Sequence, residues 1–231
     1  MPNAIVTGAS RGLGRALATA LADRGYGLVV DARDSLALED ARQDFESRGA
    51  RVVALPGSVS DSAHRRALVS AAWDLGGLDL LVNNAGILGP SPQPALADYP
   101  LDVLAEVYLV NVIAPLGLIQ DALPLLAART GATILNITSD AAVEPYEGWG
   151  GYGSGKAALD QLTAILAAER LDVRVLAVDP GDMRTRMHQE AFPGEDISDR
   201  PPPEAVVPGL LALIDGAQPS GRYRASEVLA A

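Results

Sequence analysis

Six apolar runs of strand length, spaced by longer amphipathic stretches, leave this chain few folds to choose from. The runs are Asn3–Thr7, Gly27–Ala32, Arg51–Leu55, Leu78–Val82, Ala132–Ile137 and Val173–Val178. Helix-like periodicity fills 12–24, 35–48, 60–74, 101–129 and 152–169. The runs are apolar at consecutive rather than alternate positions, as strands are when a sheet is covered on both faces. Alternation of this kind predicts an α/β fold, a doubly wound parallel sheet with helices on both faces. No repeat, low-complexity tract or linker divides it. Stretches rich in Pro and Gly at 89–100 and 192–203 read as loops, and Arg222–Ala225 as a short last edge strand.

The first strand runs into Thr7-Gly8-Ala9-Ser10-Arg11-Gly12-Leu13-Gly14, which opens the first helix. Gly8 permits a tight turn, Gly12 lets backbone approach a pyrophosphate, and the helix N-terminus offers free N–H groups to that phosphate. A glycine triplet alone is a weak signal, since any turn accepts it, but its place in the first βαβ unit points to a dinucleotide. The expectation is one Rossmann-type dinucleotide-binding domain over 1–231. The end of the second strand reads Val30-Asp31-Ala32-Arg33-Asp34. An acid there accepts from the ribose 2′-OH of NAD, whereas arginine suits the 2′-phosphate of NADP. Arg33 and Arg11 together suit a dianion, because guanidinium is a rigid bidentate donor. Asp31 faces the ribose in one reading and the opposite pleat in the other. NADP(H) is favoured over NAD(H).

Bulk properties narrow the function classes. The 231 residues, 48% hydrophobic, suit one large α/β domain. No run approaches 18 uninterrupted apolar residues, so no membrane span is expected. Zero cysteines exclude disulfides, thiol nucleophiles and thiolate metal sites. The start, Met1-Pro2-Asn3, lacks the basic-then-apolar pattern of a signal peptide, and a cytoplasmic setting is the expectation. A net charge of −11 argues against nucleic-acid and anionic-membrane partners. His64 and His188 stand far apart among polar residues, so no metal is expected.

Lys156 is the chain's one lysine, and it lies four residues after Tyr152. An Ala- and Arg-rich composition explains why lysine is scarce but not where the last one sits. Residues i and i+4 share a helix face, so this spacing puts an ammonium beside a phenol. A free tyrosine titrates near 10; a cation some 4 Å away contributes about 4 kcal/mol at an effective dielectric near 20. That is enough to bring the phenol towards neutrality. Asn111 lies in an apolar helix four residues before Pro115, which has no N–H, so the Asn111 carbonyl loses its helical donor and can hold a water.

Taken together, these residues resemble the short-chain dehydrogenase/reductase family. The glycine motif has its TGxxxGxG spacing, and Asn83-Asn84-Ala85-Gly86 is similar to its NNAG motif. Ser139 stands thirteen residues before Tyr152, Tyr152…Lys156 fits YxxxK, and Asp179-Pro180-Gly181 with Thr185 fits the segment after the sixth strand. The likeness covers roughly 3–185. It implies an oxidoreductase that moves hydride between a nicotinamide and a small carbonyl or alcohol. Tyr152 would be the general acid or base, Lys156 would lower its pKa and hold the ribose, and Ser139 would stabilise the substrate oxygen. Asn111 would anchor a water in the proton relay. Cofactor contacts are implied at Gly8, Ser10, Arg11, Gly12, Leu13, Gly14, Arg33, Ser58, Val59, Asn83, Ala85, Gly86, Tyr152, Lys156, Pro180, Gly181, Met183 and Thr185. Ser58 stands where the family often has Asp. A substrate lid is expected over 182–204, with a mobile surface loop as the alternative. In such relatives the long helices pair, which makes a homodimer or homotetramer the expected assembly. Two rival readings are a nucleotide-binding regulatory protein with little turnover and a non-redox lyase or epimerase.

Overall fold

The computed structural model describes residues 1–228. Seven strands form one parallel sheet: β1 (Asn3–Val6), β2 (Gly27–Ala32), β3 (Val52–Pro56), β4 (Leu80–Asn83), β5 (Thr133–Ile137), β6 (Arg174–Asp179) and β7 (Gly221–Arg224). Their order, β3-β2-β1-β4-β5-β6-β7, reverses between β1 and β4, and every pairing is parallel. This is the α/β doubly wound Rossmann-type arrangement, whose ligand crevice opens beyond the carboxyl ends of the strands at that reversal.

The pleat explains the consecutive apolar runs. Ala4, Val6, Leu28, Val30, Leu80 and Val82 belong to one core cluster, together with Leu17 and Leu21 of α1 (Gly12–Asp23) and Phe45 of α2 (Ser35–Ser47). The residues between them, Ile5, Val29 and Leu81, belong to the other cluster, with Leu68 of α3 (Ser62–Asp74) and Leu118, Ala122 and Leu126 of a longer helix. Each of these strands therefore feeds both cores.

That longer helix runs through α4 (Leu101–Tyr108), a π-helical turn over Leu109–Ile113, and α5 (Ala114–Ala127). The π turn falls where Pro115 removes the i+4 donor for the Asn111 carbonyl. By length and composition Leu101–Ala127 could cross a membrane, with a mean hydropathy of 1.7, which the count of uninterrupted apolar residues did not reveal. Its apolar side packs against the sheet through Leu118, Ile119 and Leu126.

Helix α6 (Gly150–Glu169) follows β5, then come α7 (Arg186–Ala191), α8 (Val207–Asp215) and α9 (Ala225–Val228). A buried polar chain pins α6 to the sheet. The Asn83 amide donates to Asn136 Oδ1 at 2.8 Å, the Asn136 amide donates to Thr163 Oγ1 at 2.8 Å, and Thr163 donates to the Leu159 carbonyl at 2.7 Å. β7 forms the sheet edge expected near 222–225.

Candidate active site

The loops after β1, β2, β3, β4, β5 and β6 wall one cleft of about 760 Å³ at the carboxyl edge of the sheet. Thr7, fully buried, organises its floor: Oγ1 donates to the Val82 carbonyl and accepts from the N–H groups of Asn84 and Ala85, each at 3.0 Å. The Asn84 amide donates back to the Thr7 carbonyl at 2.8 Å. The glycine loop is thus stitched to the loop after β4, across the strand reversal.

Gly8 adopts φ +67°, and a Cβ there would meet the Ala85 backbone at 3.0 Å, so only glycine fits. α1 begins at Gly12 with no side-chain cap and no acid in its first turn, whereas α2 and α3 are capped by Asp34 and Asp61. The free N–H groups and positive dipole end of α1 are left for an anion. The donor set fits the pyrophosphate of a dinucleotide.

Asp31 is 2% exposed, and its carboxylate is engaged inside the protein. Oδ1 accepts from the Gly8 N–H at 2.8 Å, and Oδ2 lies 3.1 Å from His64 Nε2. Arg33 is exposed, lines the cleft and has no ion-pair partner among the described residues. Arg11 also lines it but is held by Asp34 at 2.7 Å.

Across the cleft stand Ser139, Tyr152 and Lys156. Ser139 caps the 3-10 turn Asp140–Ala142, accepting from the Ala141 N–H at 3.2 Å, while its hydroxyl donates to Asp140 Oδ1 at 3.0 Å. It is a turn hydroxyl and a cleft-facing one at once. α6 presents Tyr152 and Lys156 on one face, as their spacing requires, and both are buried.

The electrostatics correct one expectation. Lys156 Nζ donates to the Ile137 carbonyl at 2.7 Å and lies 5.4 Å from the centre of the Tyr152 ring. Burial pushes the Tyr152 phenol up, and the charges of Asp140 and Asp179 add to that. Burial likewise pulls Lys156 down, from the ordinary 10.5 to about 8. In this arrangement the tyrosine is a protonated acid at neutral pH.

Three expected site residues lie behind the wall rather than in it. Asn111, 1% exposed, spends its whole amide on one residue: Nδ2 donates to the Ile87 carbonyl at 2.8 Å and Oδ1 accepts the Ile87 N–H at 2.9 Å. It anchors the loop after β4. Asn83 joins the buried chain that pins α6, because its position in β4 turns it into the sheet. Gly14 lies inside α1, where a Cβ would collide with the Gly8 carbonyl oxygen, so it serves helix packing and not ligand approach. Gly8, Ser10, Arg11, Gly12, Leu13, Arg33, Ser58, Val59, Ala85, Gly86, Pro180, Gly181, Met183 and Thr185 do line the cleft.

The 182–204 segment is built on α7, capped by Thr185, which accepts from the His188 N–H at 3.2 Å. Met187 and Ala191 pack on a small cluster of Leu88, Ala141 and Tyr152, joined by Trp149. Phe192 lies against Trp149 with ring centres 5.9 Å apart. The segment therefore covers the tyrosine side of the cleft. Sequence reasoning gave no site role to Thr7, Asn84 or Arg222, whereas the stretch from Asp140 to Gly151, with Tyr146 and Trp149, was expected to bear on specificity. Arg222, on the edge strand, donates to the Ser139 carbonyl at 2.9 Å and to Asp160 of α6 at 2.8 Å, tying three elements together below the serine.

With this geometry in view, residues 2–196 match the family model for short chain dehydrogenase. The chain is 38% identical over 200 residues to sepiapterin reductase of Meriones unguiculatus, covering 81% of this chain and 76% of the relative. It is 37% identical over 194 residues to a rhamnolipids biosynthesis 3-oxoacyl-[acyl-carrier-protein] reductase of Pseudomonas aeruginosa, covering 80% and 73%. Among solved structures it is similar to an alcohol dehydrogenase from the archaeon Thermococcus sibiricus complexed with 5-hydroxy-NADP. That match has a TM-score of 0.87 and 27% identity over 97% of this chain and 95% of that one. The nucleotide-shaped cleft, the Ser139, Tyr152 and Lys156 set and these likenesses lead to one statement: the chain belongs to the short-chain dehydrogenase family.

Proposed function

We propose that the protein is an NADP(H)-dependent oxidoreductase that reduces a small carbonyl compound, with Tyr152 as the proton donor. The observation that carries this is the convergence of Ser139, Tyr152 and Lys156 on the cleft wall opposite the glycine loop. A bound nicotinamide would supply hydride to the carbonyl carbon. The chain's own groups do the rest. Tyr152 gives its proton to the carbonyl oxygen, and its raised pKa keeps that proton available at neutral pH. The Ser139 hydroxyl turns from Asp140 to the substrate oxygen and offsets the charge developing there. Lys156 would hold the nicotinamide ribose and return a proton to Tyr152. Asn111 fixes the loop after β4 through Ile87.

The NADP preference rests on the end of β2. Arg33 is open to the cleft and has no ion-pair partner among the described residues, whereas Asp31 already accepts from Gly8 and faces His64. A 2′-phosphate meets a free guanidinium there, and a bare 2′-OH meets no free carboxylate. The Thermococcus relative solved with 5-hydroxy-NADP agrees with this reading. The exposed apolar residues Leu109, Ile113 and Ile165, on the outer faces of the π turn and α6, fit self-association, which size-exclusion chromatography reads directly.

The test is a titration with NADPH and separately with NADH, followed by tryptophan fluorescence, and then NADPH oxidation against a panel of ketones and aldehydes. Tight NADPH binding, weaker NADH binding and turnover with one class of ketone support the proposal. NADPH binding without any turnover favours the regulatory reading. Substrate conversion without cofactor oxidation favours the lyase or epimerase.

A further inference from the structure

The carboxylates that line the cleft differ in one respect. Asp34 is paired with Arg11, Asp31 with His64, and Glu190 with Arg186. Asp179 lies between Arg222 and Arg224 at 3.7 and 3.6 Å, and Asp182 lies 3.6 Å from Arg200. Asp140 alone has no cationic or imidazole partner within ion-pair distance among the described residues.

Asp140 is nevertheless held firmly. Its Oδ1 accepts from the Ser139 hydroxyl at 3.0 Å and from the Ala141 N–H at 2.8 Å, and its Oδ2 accepts from the Tyr146 hydroxyl at 2.9 Å. Neutral donors fix a carboxylate in place without cancelling its charge. Its field reaches the reacting centre, since Asp140 is one of the charges that raise the Tyr152 phenol and the Asp179 carboxyl. The opposite wall, made of Leu88, Trp149, Met187 and Ala191, is apolar. The cations nearby sit elsewhere: Lys156 donates to the Ile137 carbonyl, Arg184 donates to the Ser198 carbonyl at 3.4 Å, and Arg186 is held by Glu190 on the exposed side of α7, so among the described residues none lies within ion-pair distance of Asp140.

We propose that Asp140 makes the substrate chamber selective for charge, admitting neutral or cationic carbonyl compounds and rejecting those whose carbonyl carries a neighbouring carboxylate, such as 2-oxo acids. This rests on the carbonyl-reduction reading above. A substrate oxygen bound at Ser139 and Tyr152 brings the adjacent carbon substituents beside Asp140. Two carboxylates about 6 Å apart at an effective dielectric near 20 repel strongly enough to cost on the order of a hundredfold. Solvent at the mouth reduces this to roughly ten- to hundredfold.

The test uses methyl benzoylformate and benzoylformate, which share a ketone and differ by one charge. The wild type is expected to show a kcat/KM ratio of ester to acid of about 30 or more. Asp140→Asn keeps acceptor and donor in place, because Oδ1 still accepts from Ser139 and the amide can donate to the Tyr146 oxygen. That ratio should fall about tenfold or more in this variant. Tyr146→Phe removes a hydrogen bond but not the charge, and should leave the ratio within about threefold. A parallel readout needs no turnover: binding of benzamide and of benzoate to the NADPH complex, followed by tryptophan fluorescence. Benzamide should bind more tightly in the wild type, and the difference should shrink in Asp140→Asn. The proposal is overturned if the acid is the better substrate or benzoate the better ligand, or if Asp140→Asn leaves both ratios unchanged. Loss of turnover on both ketones with the benzamide preference intact would instead count against carbonyl reduction and leave the charge selection standing.

Discussion

Around the glycine loop the structure is held by buried hydrogen bonds to backbone, whereas around 182–204 it is held by exposed ion pairs and apolar packing. On the first side Thr7, Asn84 and Asp31 bind backbone N–H and C=O groups across three loops. On the second, Asp182 meets Arg200 and Glu190 meets Arg186 at the surface, while Met187 and Ala191 rest on Leu88 and Tyr152. The physical content of the difference is tolerance. A buried donor left without its acceptor costs its full desolvation, about 1–3 kcal/mol, whereas a surface ion pair is worth about 0–1 kcal/mol. The glycine-loop side can change little and keep its shape, and the 182–204 side can be rewritten at small cost.

The sharpest way to break this contrast is Lys156→Met, at the seam of the two halves. Turnover should fall about 10²-fold or more, with weaker NADPH binding. Stability should move the other way. Lys156 in the folded protein titrates at about 8 against an ordinary 10.5, so the unfolded chain holds more protons between those values. Wild-type stability therefore rises with pH across about 8 to 10.5, and at pH 7 the buried ammonium is a net cost. Melting temperatures measured from pH 6.5 to 10.5 should show that rise in the wild type and a flatter profile in the variant. At pH 7 the variant should melt no lower than the wild type.

Next in size, Arg11→Ala with Arg33→Ala should weaken NADPH binding by roughly 30- to 100-fold while leaving NADH within about threefold, read by titration. Equal loss of both would make the arginines structural. Thr7→Val leaves the Asn84 and Ala85 N–H groups without their acceptor, and chemical denaturation should show a loss of about 2 kcal/mol. Arg186→Ala in the 182–204 segment should change stability by no more than about 0.5 kcal/mol. A large loss there would collapse the contrast between the halves.

The same contrast governs what could be read from the sequence. β2 spans Gly27–Ala32 just as its apolar run does, and α1, α2 and α3 begin and end within two residues of their periodic stretches, because local pattern and burial agree there. The glycine loop was legible because few sequences satisfy a positive φ beside a close backbone approach. α8 was not, because its apolar stretch is short, carries Pro208 in its first turn and comes soon after the proline-rich 201–203. The π turn was half legible: Pro115 announced a missing donor, but not that the helix would widen and the Asn111 side chain would seize Ile87. The i+4 spacing put Tyr152 and Lys156 on one face but could not say that the ammonium would reach for the Ile137 carbonyl, and so the direction of the tyrosine shift was misjudged. Arg222 carries no local signal at all, since its role arises from partners up to 83 residues away.

The account turns on Tyr152 as the proton donor, and the most direct measurement is Tyr152→Phe, with NADPH titration and ketone-dependent NADPH oxidation on the same preparation. The prediction is NADPH affinity within about threefold of wild type and turnover reduced by about 10²- to 10⁴-fold. Turnover within tenfold of wild type, with cofactor binding intact, would contradict the assignment.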